Sequence, residues 1–596
     1  MNIKQLIKNN FQYFFYFYGY LRYRVFVILL VSFAVGLLDG FGLAMFIPLL
    51  QMLTDDGVER DDLGKLEFIP HTLESLGVEF NLVSVLILIL FFFLLKGGAK
   101  FLQGYLSYVY QLAFMRKIRI SNINLLNAFK FKEFVKADSG RIQNTFSGEV
   151  NKVNQAYKTY FASLQYGALI LTYGLMAVLS NISFATMVVV GGALTNFIFQ
   201  YLYKKTKQLS KKITVENHYF QGLLIQHVAF FKYLKATGLN SPYGKKLKDN
   251  IIRIEKLQLK MGTIASFLSG LREPLTISVV VVVILIQVKF LSADLGTVIL
   301  SLLFLFRALT FLMALQDQWN RFLAGSGSLE NMTNFTQELK RGKERGGKSE
   351  FKNFKKEIVL KDVSFNYDEV NILDRINLKI SKNETIAFVG ESGSGKSTLM
   401  NIISGLFPPA SGEMLVDSTS IAQIDLNSYR RSIGYIAQDP PIFSDTVFNN
   451  VTFWDKKTPE NLKKFNEAIQ KASLFEFVDN LALQEEEVLG NNGINISGGQ
   501  KQRLSIAREL YKEVDFLFMD EATSALDGET EAAIQKSIDE LKGEFTVIMI
   551  AHRLATIKNA DRIVLLNNGK IEAIGNFKKL SETSAKFREM IRLQGL

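Results

Sequence analysis

Two folds are predicted in one chain: an all-α bundle of six membrane-spanning helices, then an α/β domain built on a largely parallel sheet. Three observations predict this multi-domain membrane protein. Apolar residues fill 48% of the 596 positions, with 49 phenylalanines, a composition that leans toward a membrane protein with soluble parts. Six long apolar stretches precede residue 320, each near the ~20 residues that cross a bilayer as a helix. From residue 351 short β-type runs alternate with helical patterns, the texture of a sheet covered by helices.

Composition also excludes. Cysteine is absent, so disulfides, thiol catalysis and cysteine-ligated metal are ruled out. The four histidines show no metal-ligand spacing, which argues against a zinc enzyme. The net charge of +12 would raise nucleic acid as a partner for a soluble protein. Here the basic residues flank apolar spans, so membrane topology accounts for them and no nucleic acid is expected.

Residues 1–24 mix aromatics with Lys and Arg and are too short and tyrosine-rich to span. They predict an elbow helix lying in the membrane interface, and no signal-peptide cleavage site is present. The spans are predicted at about 25–50, 82–106, 160–180, 183–203, 264–288 and 295–318. The third holds Gln165, Tyr166 and Thr172, yet the tight connection around 181–183 ties it to a strong fourth. The connectors 115–159 and 204–260 are rich in Lys and Arg, whereas the loop 51–81 is acidic. The positive-inside rule puts both connectors and both termini in the cytoplasm, and every span then alternates. The connectors read as helical extensions, since structureless loops this long are uncommon. Residues 130–134 with 140–146, and 221–231, are candidate turns for docking on the soluble domain. The transmembrane domain is therefore 25–337. A charged, glycine-containing linker follows at 338–350, and the α/β domain fills 351–596.

Residues 390–398 (GESGSGKST) fit G-x-x-x-x-G-K-[ST] without a gap. An apolar strand-type run precedes them and a helix opening follows. Strand, glycine loop and helix turn backbone N–H groups inward as an anion nest. Gly390, Glu391, Ser392, Gly393, Ser394, Gly395 and Thr398 shape the loop, Lys396 reaches the β- and γ-phosphates, and Ser397 is placed to ligate Mg²⁺. The expected cofactors are ATP and Mg²⁺. Residues 516–521 (FLFMDE) form a buried strand ending in two carboxylates. Asp520 is placed to hold Mg²⁺, directly or through water, and Glu521 to polarise an attacking water. Ser497, Gly498, Gly499 and Gln500 open another helix, a second anion-facing site. Two such sites imply two nucleotides, or one clasped between two copies. The second reading explains the lack of a second lysine loop.

With these motifs in place the 351–596 domain resembles the ATP-binding-cassette family. Residues 390–398 match its Walker A loop. Residues 497–500 match its signature, with Ile496 where leucine is usual. Asp520 closes the Walker B strand, and Glu521 stands at the catalytic glutamate. Residues 524–527 (SALD) match the D-loop. The resemblance also implies His552 as switch histidine, Gln438 as the Q-loop glutamine near Mg²⁺ and water, and Tyr367 as the aromatic stacking on adenine. Asn491 stands where an acidic residue is common, which puts a charged cross-contact in doubt. Six spans ahead of such a domain resemble a half-sized exporter of the type IV fold. The complete set Glu521, His552 and Ser497 favours a homodimer over an asymmetric heterodimer.

Cargo must be read from the spans, where buried charge is expensive. Asp39, Lys96, Lys100, Arg272, Glu273 and Arg307 are the charges at membrane depth. They read either as mutual pairs or as a cationic lining for an anionic group. Asp39, Phe41 and Pro48, with Lys96, Arg272 and Arg307, resemble the pattern of bacterial lipid-linked oligosaccharide flippases. Lys96 departs from an arginine there, a less exact phosphate partner, and Ala314 replaces another. The expectation is an ATPase exporting or flipping an amphipathic, lipid-type substrate across the inner (cytoplasmic) membrane. The alternative is a hydrophobic drug-like or peptide cargo. A peptide-processing exporter would need a cysteine protease domain, and the chain has no cysteine.

Overall fold

The computed structural model describes residues 12–46, 49, 52, 79, 81–180, 182–290, 295–490, 493–521, 542–551 and 553–594. They form two compact units, Met1–Phe129 with Lys136–Lys343, and Lys130–Val135 with Glu344–Leu596.

The first unit is helical. Its elements are α1 (Gln12–Leu21), α2 (Arg24–Ala44), α3 (Leu82–Asn127), α5 (Ser139–Asn144), α6 (Val150–Ser180), α7 (Ile182–Ala229), α8 (Phe231–Ala236), α9 (Asn240–Phe290) and α10 (Leu295–Arg341); α4 (Phe131–Lys136) lies mostly in the second unit. Five of the six predicted spans fall within one of these helices, and the first, 25–50, coincides with α2 up to Ala44, its residues 47, 48 and 50 lying outside the described ones. Among the described residues, Arg24–Ala44, Leu82–Asn127, Ser139–Val178 and Asn240–Val283 are long and apolar enough to cross a membrane. Helices α3, α7, α9 and α10 have 46 to 51 residues, about 70 Å at 1.5 Å per residue. That exceeds twice the hydrocarbon thickness, so the connectors continue the spans as helices.

Polar side chains in the weak third span are satisfied within the bundle. Gln165 donates to Ser107 Oγ at 2.9 Å, and Thr172 donates to the Ala168 carbonyl at 3.0 Å. Gly36 and Gly40, one turn apart on α2, let α6 come close. A Cβ on Gly40 would sit 2.1 Å from Met176 Sδ, and one on Gly36 2.8 Å from Thr172 Oγ1. The elbow is the short α1, whose Phe17 and Leu21 are buried against Phe114, Tyr157 and Phe161 while Phe15 and Tyr18 stay exposed. Pro48 lies outside the described residues.

Among its described residues the second unit holds ten strands: β1 (Glu357–Tyr367), β2 (Val370–Ser381), β3 (Thr385–Val389), β4 (Ser411–Val416), β5 (Thr419–Ser420), β6 (Ile433–Ile436), β7 (Phe516–Asp520), β8 (Thr546–Ile550), β9 (Arg562–Asn567) and β10 (Lys570–Gly575). They make two sheets, an antiparallel one and the expected largely parallel one. The first has order β2-β1-β4-β5. The second has order β10-β9-β3-β8-β7-β6 and is parallel except at the β10 edge. The reason is side-chain period. In β3, β7, β8 and β9 every residue from Ile386 to Val389, Phe516 to Met519, Val547 to Ile550 and Ile563 to Leu566 is buried. Alternate residues feed two cores, one on each face. The antiparallel strands pack on the face that holds Ile386 and Phe388.

Helix α10 runs on to Arg341, and the second unit begins at Glu344, where Arg430 makes a two-pronged ion pair at 2.7 and 2.6 Å. Lys130–Val135 also belongs to this unit. Phe131 stacks on Phe407 at 5.7 Å, and Lys132 donates to the Asn366 carbonyl at 3.0 Å. The 221–231 turn, at the end of α7, belongs to the first unit.

Candidate functional site: the phosphate loop and its carboxylates

Strand register brings the motif residues to one edge. Phe388 pairs with Ile550, and Ile550 pairs with Asp520. The loop after β3, the carboxylates closing β7 and the segment after β8 thus emerge side by side at the carboxyl ends of parallel strands, where α/β sheets bind ligands. Helix α11 (Lys396–Ile403) opens directly from the loop with Gly395 as its cap. Only glycine fits two positions. A Cβ on Gly390 would lie 2.2 Å from the Leu566 carbonyl oxygen, and one on Gly395 2.7 Å from Leu373 Cδ2, both at positive φ.

Lys396 is buried, and its ammonium donates to the Gly390 and Glu391 carbonyls at 2.9 and 2.8 Å. Burial pushes its pKa below the ordinary lysine value, while Glu521 and Asp520 pull it back. The cation is thus held at the mouth of the nest facing two carboxylates. Ser397 is exposed at the helix start. Gln438, just beyond β6, donates to Glu521 at 2.7 Å. Glu521 has φ 51, a left-handed conformation that costs a non-glycine residue about 1–3 kcal/mol and marks functional sites. Tyr367 ends β1, its ring edge-on to Phe365 and Phe407 at 5.2 and 5.7 Å. Its hairpin covers the loop, because Leu373 of β2 is what Gly395 abuts.

Residues 497–500 form a closed capping box. Ser497 Oγ accepts from Gln500 N–H at 3.3 Å, and Gln500 Oε1 accepts from Ser497 N–H at 2.8 Å. They open α15 (Gly498–Tyr511), whose Leu504, Ile506 and Ala507 pack on one face of the parallel sheet, whereas Leu399, Met400, Ile402 and Ile403 of α11 pack on the other. Among the described residues no hydrogen bond joins 497–500 to the phosphate loop. His552, the D-loop at 524–527 and Asn491 lie outside the described residues.

Three functional contacts escape a linear reading. Tyr435 reaches Asp520 at 3.4 Å, and burial together with that carboxylate pushes its hydroxyl pKa up. Lys586 pairs with Glu391 at 2.8 Å and anchors the loop's first turn. Tyr173 donates to Asp39, which also binds Lys96. None has a local motif, since each partner lies 85 or more residues away or on another helix.

The membrane charges separate into two groups. Asp39 is buried and holds Lys96 and Tyr173, with Arg307 in electrostatic reach of Tyr173. Arg272 lies elsewhere. It donates to Asp317 at 3.3 Å and to the Gln316 carbonyl at 3.0 Å. Position 317 is about 15 Å along α10 from Arg307. Lys96 and Arg272 are thus each paired with a carboxylate, as the cost of an unpaired charge at that depth requires.

A membrane-embedded P-loop ATPase is what this fold and site define. Two family models match it, the ABC transporter transmembrane region over residues 25–315 and the ABC transporter over 373–524. The chain belongs to the ABC transporters, as a half-transporter of the exporter type whose ATPase is coupled to transport. It is 26% identical, over 97% of its length and 96% of the relative's, to the ATP-dependent lipid A-core flippase of Cupriavidus pinatubonensis. It is 37% identical over 51% of each chain to the ATP-dependent lipid A-core flippase of Haemophilus influenzae. A bacterial Atm1-family ABC exporter solved with ATP bound shares its fold, with TM-score 0.78 at 20% identity over 97% of this chain and 99% of that one.

Proposed function

We propose that the protein is a homodimeric, ATP-driven flippase of the cytoplasmic membrane, with its nucleotide-binding units in the cytoplasm and an amphipathic, lipid-type cargo carrying an anionic group. The dimer is supported by α11 and α15 packing on opposite faces of one sheet. Lys396 of one copy and Ser497 of the other then complete each ATP site, with Tyr367 against the adenine. The capping-box helix start supplies N–H groups to the γ-phosphate. The exposed Ser397 hydroxyl, the Asp520 carboxylate and the Gln438 amide are hard oxygen ligands that fit Mg²⁺, which would neutralise phosphate charge. Glu521 takes the proton from the attacking water, and the Gln438 bond orients it. His552 hydrogen-bonds the γ-phosphate.

The cargo reading is carried by the cluster of Asp39, Lys96, Tyr173 and Arg307. Lys96 pairs with the one carboxylate there and Arg307 lies in electrostatic reach of Tyr173, which supports positive charge for an anionic headgroup. The lipid A-core flippases among the relatives agree with such a cargo. Arg272 is retained as a more distant contributor, through its pair with Asp317. In proteoliposomes Arg307→Ala should abolish lipid-stimulated ATPase and flipping of a fluorescent anionic lipid. Unchanged stimulation sinks the anionic-headgroup reading. A second reading, export of a hydrophobic drug-like compound, is favoured by the stacked rings of Tyr166, Phe311 and Tyr173 at 6.1 and 5.5 Å. Dye-stimulated ATPase that survives Arg307→Ala would select it.

A further inference from the structure

Three arginines, Arg24, Arg116 and Arg119, line one cleft of about 660 Å³ in the first unit, together with Val109, Tyr110 and Leu112. Among the described residues none of the three forms an ion pair. The Arg24 guanidinium stands 5.5 Å from the centre of the Tyr110 ring.

The depth of the cleft follows from helix register. Lys96 binds Asp39, and Gln103 donates to Ser32 at 2.7 Å, so α2 and α3 run antiparallel in one fixed register. Carried eight residues further, that register sets Arg24 beside Gln111, in agreement with its place over Tyr110. The α2 helix of 21 residues rises about 30 Å from Arg24, the hydrocarbon thickness. Arg24 therefore marks the inner hydrocarbon boundary. Arg116 and Arg119 lie about 8 and 12 Å past it along α3. Long helical side chains lean toward the helix N-terminus, which for α3 is toward the bilayer. All three guanidinium groups are thereby brought to the phosphate layer. Val109 and Leu112, both exposed, lie on the hydrocarbon side of that layer. The exposed rings of Tyr18 on α1, Tyr23 in the turn between the helices and Phe26 on α2 provide an interfacial aromatic belt nearby.

We infer that this cleft is a binding site for the phosphate headgroup of an anionic phospholipid of the cytoplasmic leaflet. Arginine forks grip the phosphate oxygens, and an acyl chain lies along Val109 and Leu112. The site is separate from the Asp39 cluster, holds a resident lipid rather than cargo, and does not depend on what the transporter moves.

The test uses the full-length dimer in detergent, with native mass spectrometry counting retained phosphatidylglycerol and phosphatidylcholine. Wild type should retain phosphatidylglycerol selectively. Arg116→Gln/Arg119→Gln should bind it on the order of thirtyfold more weakly, at about fivefold per cation removed. Basal ATPase and the unfolding midpoint report that this variant is folded. Arg24→Gln alone, tested in parallel, should weaken binding about fivefold if the double variant does not fold. Equal retention of the two lipids, or retention that neither variant changes, overturns the site. Displacement of the lipid by millimolar inorganic phosphate would assign it to a soluble anion instead. Because the chain has no cysteine, Arg119→Cys provides a unique thiol. Efficient disulfide crosslinking of two copies through it would make the face a protomer contact and overturn the lipid assignment.

Discussion

Gln438 donates a 2.7 Å hydrogen bond to the Glu521 carboxylate, joining the end of β6 to the end of β7 across the phosphate loop's edge of the sheet. The bond aims the Glu521 carboxylate through a neutral partner. Glu521→Gln should lower ATP turnover by about 10²–10⁴-fold, the range of a lost general base, while ATP binding persists. Steady-state phosphate release and nucleotide retention measure the two separately. Turnover near the wild-type rate would remove Glu521 from the base role.

Lys396 provides a second, separable loss. Its ammonium is tied to the Gly390 and Glu391 carbonyls and has only to turn outward to meet a phosphate. Lys396→Met keeps the buried stem and deletes the charge. ATP affinity should fall about 10–100-fold, the worth of one or two hydrogen bonds to a charged group, with little change in the unfolding midpoint. A fluorescent nucleotide titration reads it. Unchanged affinity would mean that the loop's N–H groups alone hold the phosphates.

How much of this was legible beforehand depends on chain distance. The phosphate loop, β7 with Asp520 and Glu521, and the capping box at Ser497 are local patterns, and each stands where its spacing predicts. Strands β3, β6, β7, β8 and β9 were legible as short apolar runs buried on both faces, and β1 and β2 as β-rich runs buried on one. Strands β4, β5 and β10 were not, because most of 411–416 and 570–575 is exposed or half-buried and neither carries a strong apolar run. The split into two sheets is a pairing property, written in which strands neighbour one another rather than in any segment. Asp39 was legible as a costly buried charge, yet its partners Lys96 and Tyr173 lie 57 and 134 residues away.

Asp39 holds two donors from two other helices, which makes it a cross-brace of the bundle. Asp39→Asn leaves the half-buried Lys96 cation without its carboxylate and should destabilise the protein by about 3 kcal/mol, the low end for a broken buried pair. Asp39→Asn/Lys96→Met removes both charges and should recover most of that loss. Unfolding midpoints of the two variants in one detergent decide it. If the double variant is no better than the single, the pair is not what stabilises this region.

Glu149 and His218 set opposite pH responses in the first unit. Their Oε1 and Nε2 atoms are 3.8 Å apart, Glu149 closes a π-helical turn, and Asn331 lies within 3.4 Å of both. Burial raises the Glu149 carboxyl above 4.5, against the opposing pull of Lys152 and hydrogen bonds from Ser328 and Asn331. The folded state therefore holds a proton that the unfolded chain releases, and stability falls as pH rises from about 4.5 through the raised value. Burial, Arg141 and Lys152 lower His218 below 6.5, with Asp138 opposing. Its contribution is complete above 6.5 and is lost as pH falls through the lowered value. Glu149→Gln should raise the unfolding midpoint at pH 7.5 and leave the His218 loss uncompensated, so stability drops more steeply between pH 6.5 and 5. His218→Gln should flatten that drop. A Glu149→Gln protein whose midpoint is lower than wild type at pH 7.5 would show the carboxylate to be a net stabiliser.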